Sequence, residues 1–150
     1  MLAMDNGYGN VIMSGIFSVI CTIASWFFGG FDSAIRLLIA LVITDYVLGI
    51  IAAGVNHELD SWKGFTGIFR KVIIFALVGV VNVVGRELMG NGTGIRDLVI
   101  YFYVANEGIS IIENADKAHV PIPKGITRIF EKLQESGDMA VKQLDKEKQV

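Results

Sequence analysis

Residues 11–31 (VIMSGIFSVICTIASWFFGGF) contain no charged side chain. A helix needs about 20 mostly apolar residues to cross the ~30 Å hydrocarbon core, where no water satisfies backbone groups. This run meets that requirement, and Trp26, Phe27 and Phe28 crowd one end, as an interfacial aromatic belt would. Three further segments follow. Ile35–Val55 is interrupted by Asp45 near its middle. Residues 67–88 have an uncharged core at 72–85 that contains Asn82, with Arg70, Lys71 and Arg86 placed to snorkel toward the interfaces. Residues 95–112 open with Arg96 and Asp97, carry Glu107, and are the least apolar of the four.

Composition agrees with membrane insertion. The chain is 53% hydrophobic and 19% charged, against about 25% charged in ordinary soluble domains. The expected fold is an all-α integral membrane protein with about four transmembrane helices in residues 1–115. Residues 116–150 are expected to be cytoplasmic: an elbow, a short amphipathic helix and a charged tail. Pro121 and Pro123 stop the fourth helix. Beyond them Ile126, Ile129, Phe130 and Leu133 recur at helical spacing, as in a helix lying on the inner leaflet. His57–Gly67 (HELDSWKGFTG) reads as a polar segment resting at the headgroups.

Orientation follows from the basic residues, which favour the cytoplasmic side. Lys63, Arg70 and Lys71 mark the second connection, and seven of the thirteen bases fall between Lys117 and Val150. Four crossings put both regions in the cytoplasm, with the N-terminus there too. The N-terminus has no Lys or Arg before the first apolar run; if that first segment lies on the surface instead of crossing, three crossings with the N-terminus outside fit the charges nearly as well. Without an n-region charge or an A-x-A site, a cleaved signal is not expected.

Several functions are excluded. A net charge of -2 provides no basic field for nucleic acid. Cys21 is the single cysteine and sits in an apolar run, so neither a disulfide nor a metal site is expected. There is no G-x-S-x-G, H-E-x-x-H, Walker loop or C-x-x-C, and no catalytic residue or cofactor is assigned. His57 and His119 read as lone surface histidines. The glycines of residues 85–94 make a turn with no phosphate-binding context.

Asp45 and Glu107 most require explanation, because an intramembrane carboxylate costs ~2.5–3.5 kcal/mol on insertion scales. Such groups either line an aqueous path or lock helices together by hydrogen bonding. Asp45, Gly49 and Ala53 recur every four residues, a seam that admits another helix closely. Glu107, Ser110 and Asn114 share a face of the fourth segment, and Ser14, Ser18 and Thr22 form a hydroxyl stripe on the first. These six residues (Asp45, Gly49, Ala53, Glu107, Ser110 and Asn114) are the packing or pore-lining candidates. A chain this short has too few helices to enclose a wide pore alone.

The chain resembles the toxin-secretion and phage-lysis holins over about residues 31–133. The resemblance rests on DYVLGIIAAG (45–54), SWKGFTGIFRK (61–71), NEGISIIEN (106–114) and the VPIP elbow (120–123), in that order and at those spacings. It implies a homo-oligomer that forms lesions in the cytoplasmic membrane, performs no covalent chemistry, and releases a peptidoglycan hydrolase (endolysin) or a toxin. Many such proteins also have a longer antagonist form with added positive charge. Met1 and Met4 offer two starts here, but Leu2 and Ala3 between them are uncharged. The competing class is a small ion or proton translocator using Asp45 and Glu107; a third is a membrane anchor that recruits a soluble partner through its tail.

Overall fold

The computed structural model describes residues 5–90 and 93–147. They form five helices: α1 (Asp5–Phe28), α2 (Ser33–Val55), α3 (Ser61–Met89), α4 (Thr93–Lys117) and α5 (Lys124–Glu147). Met1 and Met4, the two starts, and part of the 85–94 turn lie outside the described residues.

Local chemistry sets the boundaries. Asp32 caps α2 by accepting from the Ile35 N–H at 3.0 Å, and Asp60 caps α3 by accepting from Trp62 N–H at 2.8 Å. The second cap corrects the expectation for residues 57–67. Ser61–Gly67 is the opening of α3, not a separate surface segment, because Asp60 supplies the start signal. α1, α2 and α4 end alike. Gly29, His57 and His119 adopt φ of 76°, 56° and 60°. The next residues, Gly30, Glu58 and Val120, donate back to Ser25, Ala53 and Ala115 at 2.7, 2.8 and 2.9 Å. This is the Schellman closure, which usually places glycine at the left-handed position. Histidine tolerates that conformation better than most side chains, so His57 and His119 terminate helices.

The apolar core joins Ile35, Leu38 and Val42 of α2 to Ile74 and Val78 of α3 and to Ile100 and Val104 of α4. α4 is central, packing on α2, α3 and α5. Away from the core, Ile43, Val47, Ile51, Val72, Ile73, Val80 and Val84 are exposed. Such surfaces belong against lipid, since apolar patches this extensive do not persist in water. Three helices are long and apolar enough to cross a membrane, at residues 8–28, 33–55 and 61–88. The chain is therefore a membrane protein. α4 has the length, 25 residues, but is not among the three.

α5 is a single helix of 24 residues, longer than the short one expected. It turns at the Val120–Pro123 elbow and packs back along α4. Phe130 sits where a side chain on Gly108 would stand, and Gln134 reaches Asn106 at 3.5 Å. α1 is the least integrated helix: every residue from Tyr8 to Ile23 is exposed, and only its C-terminal end meets the bundle.

Candidate functional site

Asp45 follows the α2 N-terminus by 12 residues and Glu107 follows that of α4 by 14. At ~1.5 Å per residue these distances are about 18 and 21 Å, so Asp45 lies near the middle of the α2 candidate span and Glu107 at a similar distance along α4. The two carboxylates come together where α3 meets the α2–α4 pair, and the Lys71 ammonium stands between them. Its ammonium pairs with Asp45 Oδ2 at 2.7 Å and with Glu107 Oε2. Asn114, two turns beyond Glu107 on α4, donates from Nδ2 to Asp45 Oδ1 at 2.9 Å. Asp45 and Glu107 are both buried.

One ammonium against two carboxylates meets the requirement that buried charges be paired and hydrogen-bonded. Each of α2, α3 and α4 contributes a charge, so the group ties three helices together. Gly49 permits the approach: a Cβ there would stand 3.4 Å from Asn114 Nδ2. Ala53 is half-buried farther along the same face. Ser110, half-buried, lies between Glu107 and Asn114 on α4. The structure thus gathers Asp45, Gly49, Glu107 and Asn114 about Lys71. Lys71 itself was expected to snorkel outward. Its signal in the sequence was indirect, in that two carboxylates within apolar segments call for a cation.

A cleft of about 280 Å³ leads to this group from the α2–α3 connection. Glu58, Asp60 and Lys63 stand at its mouth, Tyr46, Gly64 and Gly67 along its walls, and Asp45, Lys71 and Asn114 at its foot.

A second polar group holds the opposite end of the bundle. Arg96 is fully buried and donates to the Phe28 carbonyl at 2.5 Å, the Gly30 carbonyl at 3.4 Å, Asp32 Oδ2 at 2.7 Å and Asp97 Oδ1 at 2.8 Å. Asn82 donates to the carbonyls of Phe27 and Trp26 at 2.9 and 3.3 Å. Together they satisfy the last carbonyls of α1, which have no partner inside that helix, and a cation at this end opposes the helix dipole. Arg96 also holds the Asp32 carboxyl below its usual range, chiefly through their hydrogen bond. In the sequence Arg96 and Asn82 were only polar interruptions of apolar segments. Gly29 is required here as well, because a Cβ would overlap Asn82.

Among the described residues no cluster of His, Cys, Asp and Glu could hold a metal ion. A sequence model of the bacteriophage holin family matches residues 22–135, which take in both polar groups and the first half of α5. An uncharacterized 14.9 kDa protein in the nagH 3' region of Clostridium perfringens is 39% identical, covering 83% of this chain and 93% of its own. Uncharacterized proteins of Halalkalibacterium halodurans and Listeria innocua are 33% and 36% identical, covering 78% and 75% of this chain and 90% and 81% of theirs. No solved structure matches.

Proposed function

Because this chain belongs to the bacteriophage holin family, we propose that it assembles in a bacterial cytoplasmic membrane into large, non-selective lesions. Through these a peptidoglycan hydrolase or a toxin leaves the cell. No covalent step is involved, and the released protein need not touch the holin. The observation that carries this reading is the family match together with a small bundle that exposes extensive apolar faces and whose buried polar side chains are hydrogen-bonded internally. Such a monomer is suited to accumulate harmlessly. A lesion then requires many copies and new neighbours for those polar groups.

The same reading places four crossings in the membrane with both termini in the cytoplasm. α4 supports it by running beside α2 from end to end: Arg96 pairs with Asp32 at one end, and Asn56 Nδ2 donates to the Lys117 carbonyl at 2.9 Å at the other. Its modest apolarity is offset by the partners that cover it. Arg128, Glu131 and Lys132 of α5 are exposed, so that side of α5 must reach headgroups or water. The α4–α5 contact is therefore the one we expect to rearrange at the inner leaflet.

A second reading, ion or proton translocation through Asp45 and Glu107, draws on the cleft that ends at Lys71. Vesicles loaded with a small ion reporter, graded dextrans and a fluorescent protein separate the two. Release of the protein-sized cargo is the expected result. Ion leakage with retention of every dextran would establish the second reading and exclude the first. Reporter fusions after Asn10, His57, Gly92 and Lys142 map the topology, and an external signal at His57 or Lys142 overturns it.

A further inference from the structure

Among the described residues, two surfaces that lack a partner are complementary in their chemistry. One is α1, exposed from Tyr8 to Ile23. The other is a groove of about 260 Å³ between α2 and α3, walled by Ile43, Val47, Ile68 and Val72 and bordered by Lys71. We propose that α1 of one copy lies in the α2–α3 groove of the next, and that this contact is the repeating joint of the assembly. The proposal deepens the lytic reading by naming how copies join.

Polarity at matching depth supports the pairing. Between Val11 and Ile23 the hydroxyl groups are those of Ser14, Ser18 and Thr22, one face of an otherwise apolar stretch. Each hydroxyl donates to its own helix, at 2.9, 2.8 and 2.8 Å, to the carbonyls of Val11, Ser14 and Ser18. Their oxygens are left as outward-facing acceptors. Lys71 is the complement: an ammonium has three donors, and its two carboxylate partners account for two. No acceptor for the third is found among the described residues, and the side chain keeps 18% exposure. Ser14 and Ser18 precede Phe28, the end of α1, by 14 and 10 residues. At ~1.5 Å per residue they lie about 21 and 15 Å from that end, the level of the Asp45–Lys71 pair.

The chain's own α1 is kept from the groove. Its last carbonyls are held by Asn82 and Arg96, and Gly29 is fitted against Asn82 at φ 76°. That elbow fixes the direction in which α1 leaves the bundle, so swinging it inward would break the whole set. A neighbour's α1 carries no such constraint. The joint is also heterologous, helix of one copy into groove of the next, so it leaves a free helix and a free groove at the ends of any open row. Open-ended growth follows without a fixed subunit number.

The test is disulfide formation in the full-length protein, with Cys21→Ser as background, in sealed phosphatidylethanolamine/phosphatidylglycerol vesicles oxidised with copper–phenanthroline. Ser18→Cys and Val72→Cys carried on one chain should give a ladder of dimers, trimers and higher species. Mixing the two single variants should give dimers only of the mixed kind. Crosslinking confined within single chains would show that α1 folds onto its own groove, and Ser18–Ser18 dimers alone would show a symmetric α1 pair. Either result, or no crosslinking at all, overturns the proposal. Crosslinking reads the joint whether or not cargo passes, so its failure is distinguishable from failure of the lytic reading.

Discussion

Replacing Lys71 by Met keeps the length and apolar stem of the side chain but removes the charge between Asp45 and Glu107. Two buried carboxylates then face each other, with Asn114 donating to only one of them. Removing one member of a buried, hydrogen-bonded charge group costs ~3–5 kcal/mol, because the partners stay buried and uncompensated. Since ~1.4 kcal/mol is tenfold in an equilibrium constant, the folded bundle should lose a factor between about 10² and 4 × 10³. The assay is reversible unfolding in dodecylmaltoside micelles titrated with SDS, followed by circular dichroism. Adding Asp45→Asn and Glu107→Gln to the Lys71→Met chain neutralises the whole group. Most of the loss should return, as replacing every member of a buried ion group often costs little. A Lys71→Met protein within about 0.5 kcal/mol of the parent, the scatter of ordinary surface substitutions, would refute the claim that this group holds α2, α3 and α4 together.

Glu107→Gln should retain cargo release while Glu107→Leu loses it or shifts its timing, if polar packing is what Glu107 supplies; equal, parental release by both would show that it is incidental. Gly79→Ala should cost about 1–3 kcal/mol through overpacking, since the new methyl overlaps the Phe27 ring; the micelle titration measures it, and no change would mean α1 does not seat on α3. His119→Gly should relieve roughly 1 kcal/mol of left-handed strain and His119→Val should not; equal stability of the two would remove the Schellman role. For Asp32, whose folded value lies below the ordinary 3.8, the contribution is complete above 3.8 and lost as pH falls through the lower folded value. Melting midpoints should therefore show an acid-side fall that Asp32→Asn abolishes while lowering the neutral-pH midpoint; superimposable profiles would count against the Arg96 contact.

The apolar runs alone determine that this chain enters a membrane, because a backbone in hydrocarbon can be satisfied only by helices or closed barrels. The runs at residues 11–31 and 35–55 fall within about three residues of the candidate spans at 8–28 and 33–55, whereas the core at 72–85 marks only the inner half of the third, 61–88. The elbow at Pro121 and Pro123 was equally legible, since proline acts locally. Asp45 and Glu107 stood out because a charge is conspicuous against an apolar background. Their partner did not. Lys71 lies at the edge of its apolar segment, where the cost of a lysine is small and an outward-pointing side chain is equally reasonable. Only the approach of α2 and α4 to α3 turns it inward. Arg96 is the same case: at the start of a helix its charge is unremarkable, and its role exists only once α1 ends against it. The capping aspartates, His57 and His119 carry only weak local signals, because each residue type is common on surfaces. The course of α5 had no sequence signal beyond its apolar stripe. A stripe can lie on lipid or on protein, and the hollow that Gly108 leaves for Phe130 appears only when α4 and α5 are side by side. Local chain physics decides where helices begin and end, whereas charge pairing and ring-into-notch contacts depend on which helices become neighbours.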